Sequence, residues 1–155
     1  MTRISPEKAA AEYGMQCHHE QMPNGETRFR LSGNDGSGYI KTVAGQEGAW
    51  QNSHRHQHIT EIYIVQSGWM AMAYATQDNT QIQLERHLAG EIIRIGPGIR
   101  HNTYLPAHAV IHVIKQDIPA NGDWIADPEL DSLSKPVSEA QILQQTGNSD
   151  LSAGK

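Results

Sequence analysis

Cysteine is almost absent from the 155-residue sequence: Cys17 stands alone. One cysteine excludes an internal disulfide framework and a cysteine-based zinc site. Basic clusters are missing too. The net charge is −5 with a pI near 5.9, so nucleic acid is not an expected partner. No apolar run approaches the roughly 20 residues that span a membrane, so no membrane partner is expected. The first residues, "MTRISPEKAAAEYG", contain no apolar signal core, which predicts a cytoplasmic protein. A chain of this length fits one domain and can bury roughly 68–70% of its unfolded surface.

Histidine is the residue in surplus. There are nine, and His54, His56, His58 and His101 lie in or near two glycine-rich segments. His18, His19, His87 and His108 sit in polar or turn-like surroundings and receive no function.

The order of elements follows from local signals. Ser5-Pro6-Glu7 reads as a cap, a first-turn proline and an acid beside the helix dipole, and Gly14 ends the helix near Tyr13. Asn24-Gly25 is a turn before a short strand, and "NDGSG" is another turn. From Tyr39 to about Lys115 short strands alternate with turns: "GYIKTVA", "TEIYIVQ", "WMAMAYAT", "QIQLERHL", "EIIRI", "IRHNTYL" and "AVIHVIK". Regular turn spacing and many β-branched residues predict an all-β sandwich or barrel. After Ile118, "PANGDWIADPELDSLSKP" is turn-rich. A capped helix follows from Ser138, and a small, polar, frayed tail runs from about Thr146.

The stretch "GAWQNSHRHQHITEIYIVQSG", Gly48 to Gly68, carries the chemistry. On a strand alternate residues share a face, so His54 and His56 point the same way about 7 Å apart. Their rings can lean together to share an ion at about 2.0–2.1 Å each. On a continued strand His58 would lie about 13 Å from His54, too far to share it. A turn at Gln57–Thr60 returns Glu61 to the same place. The second segment, "GEIIRIGPGIRH", ends in a Gly-Pro-Gly turn that aims His101 across a barrel. Three imidazoles and one carboxylate suit one divalent first-row metal: iron, manganese, nickel, cobalt or zinc.

These two segments resemble the paired motifs of the cupin superfamily. The first motif, G-x5-H-x-H-x3-4-E-x6-G, matches throughout with Gly48, His54, His56, Glu61 and Gly68. The second, G-x5-P-x-G-x2-H-x3-N, matches at Gly90, Gly98 and His101. Gly96 stands where proline is usual, with Pro97 next to it, and Leu105 stands where asparagine is usual. The resemblance implies an all-β, single-domain jelly-roll β-barrel with the ion inside, often as a homodimer. With the local signals above, the chain divides into an N-terminal helix and arm at residues 1–20, the barrel at 21–118 and a C-terminal extension with a short helix and tail at 119–155. Cupins with this ligand set include dioxygenases, decarboxylases, sugar-phosphate isomerases and lyases. Some cupin lyases acting on dimethylsulfoniopropionate use a tyrosine two residues after the glutamate as base, and Tyr63 has that place.

Parity extends the candidate site. Tyr63 and Val65 share the face of Glu61, so Tyr63 is open to two roles, acid/base catalysis or barrel packing. Trp50 and Asn52 share the parity of His54 and His56 and are candidates for substrate contact. His112 within "AVIHVIK" is either a hydrogen-bonded core residue or a pocket residue. Arg94 within "EIIRI" must pair or reach water, and could hold a substrate anion bidentately. Met70 and Met72 face one way, Trp69 and small alanines the other, as core or dimer surface. Trp124 is a candidate lid. The expectation is a metal-dependent enzyme for a small polar, anionic molecule, with lyase, isomerase or dioxygenase chemistry. The competing expectation is a non-enzymatic metal- or small-molecule-binding module.

Overall fold

In the computed structural model, residues 1–34, 38–116 and 123–147 are described. Helix α1 (Pro6–Tyr13) opens the chain. Ser5 caps it, accepting from the Lys8 N–H at 3.2 Å. Gly14 closes it in the left-handed region, φ 64°, with its N–H returned to Ala10. The strands are β1 (Met15–Gln21), β2 (Thr27–Gly33), β3 (Gly38–Val43), β4 (Ala49–Trp50), β5 (His54–His56) and β6 (Thr60–Ser67). They continue as β7 (Trp69–Ala75), β8 (Ile82–Leu88), β9 (Ile92–Ile95), β10 (His101–Leu105), β11 (Val110–Gln116) and β12 (Trp124–Ala126). Helices α2 (Pro128–Ser134) and α3 (Glu139–Gly147) end the described chain.

The strands form two antiparallel six-stranded layers. One has the order β1-β2-β3-β11-β6-β9. The other runs β12-β5-β10-β7-β8, with β4 beside β10. This is the expected jelly roll, in which two open layers face each other and neither closes on itself. Their inner faces meet in one core: Tyr63, Val65, Ile93, Ile95, Ile111 and Val113 from the first layer meet Met70, Met72 and Leu105 from the second. Alternation dictates this, because the intervening residues of the same strands point away.

The outer face of the second layer is covered. Ala71 and Ala73 pack there with Trp50, Tyr104 and Ile142 of α3. Met70 and Met72 are therefore core, and the alanines of β7 make room for the C-terminal helices. The segment read as turns from Pro128 is a helix. Asp127 caps it, Pro128 fills its first turn, and Leu130 is fully buried beneath it. Burying that leucine contributes about 1.5–3 kcal/mol, an anchor that local turn signals do not reveal. Strand β1 is a second difference: the N-terminal arm pairs with β2 along its whole length, extending the first layer. The "NDGSG" turn, the 118/119 boundary and most of the polar tail fall at residues 35–37, 117–122 and 148–155, outside the described residues. No helix among the described residues is long and apolar enough to cross a membrane.

Candidate metal centre

His54 and His56 lie on β5, in the second layer. The chain then crosses at residues 57–59 into β6 of the first layer, which carries Glu61 and Tyr63. His101 opens β10 and pairs directly with His54 in register. Gly98, at φ 80°, allows the turn before it, and its N–H donates to the His56 carbonyl at 2.6 Å. The turn is thus tied to the strand whose histidines it faces.

The four side chains are buried and converge. Ligand-capable atoms of His54, Glu61 and His101 lie within 4.8 Å of one another. The Nε2 atoms of His101 and His54 stand 3.1 and 3.6 Å from Glu61 Oε2. His56 Nε2 stands 3.4 Å from Oε1, the other oxygen.

Each ring is oriented from behind. The Nδ1 atoms of His54 and His101 lie 3.0 Å from the backbone carbonyls of Asn52 and Ile99. His56 Nδ1 lies 2.6 Å from Asp123 Oδ1. These partners only accept, so each Nδ1 carries the proton, and a neutral ring then presents its bare Nε2 lone pair to Glu61. Three lone pairs facing a carboxylate form a donor set that is short of positive charge. Such a set fits a cation, and back-bonded imidazole is the usual support of a metal ligand.

Electrostatics agree with a charged centre. Burial alone would raise the Glu61 carboxyl. Where the rings also carry a proton on Nε2, the hydrogen bonds that His101, His54 and His56 donate to Glu61, with the charge of Lys115, instead hold it well below the carboxylate range. Burial lowers His54, outweighing the opposing pull of Glu61. Tyr63 is pushed well above the phenol range, first by burial and then by the Glu61 charge. Its Oη lies 3.3 Å from Glu61 Oε2 and 3.2 Å from His101 Nε2, so it is a proton donor held at the centre. A role as base needs this shift reversed.

The other candidates separate. Asn52 lines the cavity beside the histidines, a space of about 410 Å³, and Trp124 does too, stacked on His54 at 5.7 Å. His58 is exposed, its backbone N–H bonded to Asp123. Trp50, Arg94 and His112 are not brought to the centre. Trp50 points out of the second layer, bonding the Val137 carbonyl, because residues 51–53 belong to no strand and the parity breaks there. Arg94 is exposed, on the opposite face of β9 from buried Ile93 and Ile95. His112 lies outward between Tyr39 and Gln66, at 2.7 and 2.6 Å, opposite in parity to core Val113.

Residues that the sequence reading passed over take their places. Lys115 pairs with Glu61 across β11 and β6, and its ammonium stands 2.9 Å from Oε1 and 3.3 Å from His56 Nε2. It shares parity with core residues Ile111 and Val113, a signal present in "AVIHVIK". Arg28 and Arg30 line the cavity from β2. Arg28 is paired with buried Glu26 at 2.6 Å. Asp123 has no local signal, since it comes from a turn-rich segment and is recruited only by β12 pairing with β5.

No family model matches the sequence, and no curated protein matches it. Solved structures do. Oxalate decarboxylase from Bacillus subtilis at pH 4.6 aligns with a TM-score of 0.57 at 11% identity, over 71% of this chain and 30% of that one. The same enzyme, studied for its Mn(II) centres by EPR, aligns at 0.56 with 10% identity, over 70% and 30%. An uncharacterised Klebsiella pneumoniae protein with a double-stranded β-helix domain aligns at 0.55 with 18% identity, over 69% of this chain and 88% of that one. The chain therefore spans about 30% of the decarboxylase and most of the Klebsiella protein. These likenesses establish the fold, a double-stranded β-helix.

Proposed function

We propose that this chain, which has the cupin fold, holds one divalent first-row metal ion through His54, His56, Glu61 and His101 and acts with it on a small anionic metabolite. The observation that carries this reading is the set of three imidazoles, each with Nδ1 spent on an acceptor and Nε2 turned to one buried carboxylate. The Mn(II) centres of a structural neighbour support a divalent ion. Once bound, such an ion polarises a carbonyl or activates oxygen or water. The protein's own contribution is positional. Asn52, His54, Glu61, Tyr63, Lys115 and Trp124 line one cavity. Tyr63 offers a proton there. Lyase, isomerase and dioxygenase reactions are the classes to assay.

Purified protein should carry close to one equivalent of transition metal by elemental analysis, and His101→Ala should lose most of it. Retention unchanged in that variant sinks the ligand assignment. Iron in protein from its native host favours oxygen chemistry; manganese, nickel or zinc favours the isomerase and lyase readings. The second reading, a non-enzymatic binding module, is favoured by the decarboxylase likeness covering fold alone. It predicts ligand binding unchanged by metal removal and no turnover across a metabolite panel. A homodimer in the cytoplasm completes the proposal. The outer face of the first layer leaves Phe29, Leu31, Ile92 and Ile114 exposed, and a second copy would cover them. Sedimentation at a single chain mass overturns that part.

A further inference from the structure

Among the described residues Lys115 is the cationic side chain at the centre, and ion binding by three histidines and a glutamate does not call for it. Its side chain is largely buried, 19% exposed, in a cavity wall shared with Glu61, Tyr63 and His54. Burying an ammonium is costly unless it is paired. Glu61 pairs it, yet Glu61 also faces three imidazoles.

Charge counting shows what is left over. Among the described residues the negative groups nearest the centre are Glu61 and Asp123. Asp123 is engaged by His56 Nδ1 and by the backbone N–H groups of His58 and Ile59. Arg28, further along the cavity, is balanced by Glu26. A divalent ion on Glu61, with Lys115 beside it and Asp123 behind His56, leaves a net charge of about +1, from +2, −1, −1 and +1, around a space of about 410 Å³. A neutral molecule entering that space leaves an ammonium and an ion of the same sign close together at low dielectric, whereas an anion relieves both.

Resting on the metal reading above, we propose that Lys115 is the substrate-anchoring residue of the cavity and binds a carboxylate or comparable oxyanion presented beside the metal ligands. Lysine suits this role as a compact point charge on a flexible stem, able to turn from Oε1 towards an incoming oxygen. The preferred ligand class is a small carboxylate, whose charge offsets that surplus.

The test uses cobalt(II)-loaded protein, with malonate as the probe and malonamide as its neutral counterpart, followed by the visible spectrum. Wild type should bind malonate well and malonamide weakly. Lys115→Gln should weaken malonate about 10- to 100-fold, the range for a hydrogen bond to a charged group, and leave malonamide unchanged. Lys115→Arg, which keeps the charge if the glutamine variant folds poorly, should stay within about threefold of wild type. Equal malonate affinity in wild type and Lys115→Gln, with cobalt still at one equivalent, overturns the inference alone. So does wild type that fails to prefer malonate over malonamide. Wild type that takes up no cobalt overturns the metal reading and this inference with it.

Discussion

Asp123 accepts the Nδ1 proton of His56 at 2.6 Å from 67 residues further along the chain. The same carboxylate receives the backbone N–H groups of His58 and Ile59, so it holds both the ring and the crossing between the two layers. Those bonds, set against its own burial, lower its pKa. Strand β12 thus completes a centre whose other members were brought together by β5, β6 and β10.

Removing that support should loosen the ion without removing a ligand. Asp123→Ala is expected to weaken metal affinity about 10- to 100-fold, as loss of a carboxylate behind a ligating histidine typically does. Competition with a chromophoric chelator measures it. An affinity equal to wild type would show that His56 is oriented by packing alone.

Acidification should unfold the metal-free protein earlier than surface carboxylates would. Glu61 is depressed in the fold, so its contribution is present above the ordinary carboxylate pKa, about 4.3, and is lost as pH falls through the folded value. His54 is also depressed. The unfolded chain takes its proton near pH 6.5 while the folded chain refuses it, so this contribution begins to fade below about 6.5. Both act in one direction. Chemical denaturation at pH 7.5, 6 and 5 should show stability falling at each step, with a smaller fall in His54→Gln.

Two glycines of the motifs should respond differently to alanine. Gly98 has φ 80° but open space around a added methyl, so Gly98→Ala should cost about 1–2 kcal/mol from backbone strain alone. Gly48 has no such angle, yet a methyl there would collide with Tyr104 Oη. Gly48→Ala must displace Tyr104 from Glu139, its 2.7 Å partner on α3. Its overpacking cost of about 1–3 kcal/mol adds to loss of that bond, so it should melt lower than Gly98→Ala. Thermal melts of both variants decide the order.

Tyr63→Phe should fold and keep its metal, losing about 1 kcal/mol with the hydroxyl. If Tyr63 supplies a proton, turnover in the reaction identified should fall about 100-fold or more with little change in KM. Turnover equal to wild type would leave the side chain as packing between the layers.

Much of the centre was legible because its information is local. Alternation puts His54 and His56 on one face, strand rise carries His58 about 13 Å from His54, and spacing to Glu61 and His101 follows fixed turns. The same alternation failed for Trp50, since residues 51–53 leave the strand and reset which side faces in. Arg94 and His112 could be weighed only once β9 and β11 had a known inner face. Lys115 lay within reach of parity, but "AVIHVIK" is apolar on both sides and does not mark which face is buried.

By itself, then, the sequence determined the strand-rich pattern, the caps of α1, the two glycine turns and the four converging donors, because each depends on residues a few positions apart. Tertiary structure alone decided that Asp123 stands behind His56, that Lys115 meets Glu61 and that α3 covers the alanines of β7. Those contacts join segments tens of residues apart. They depend on strand register and layer packing, which set distances that no local period encodes.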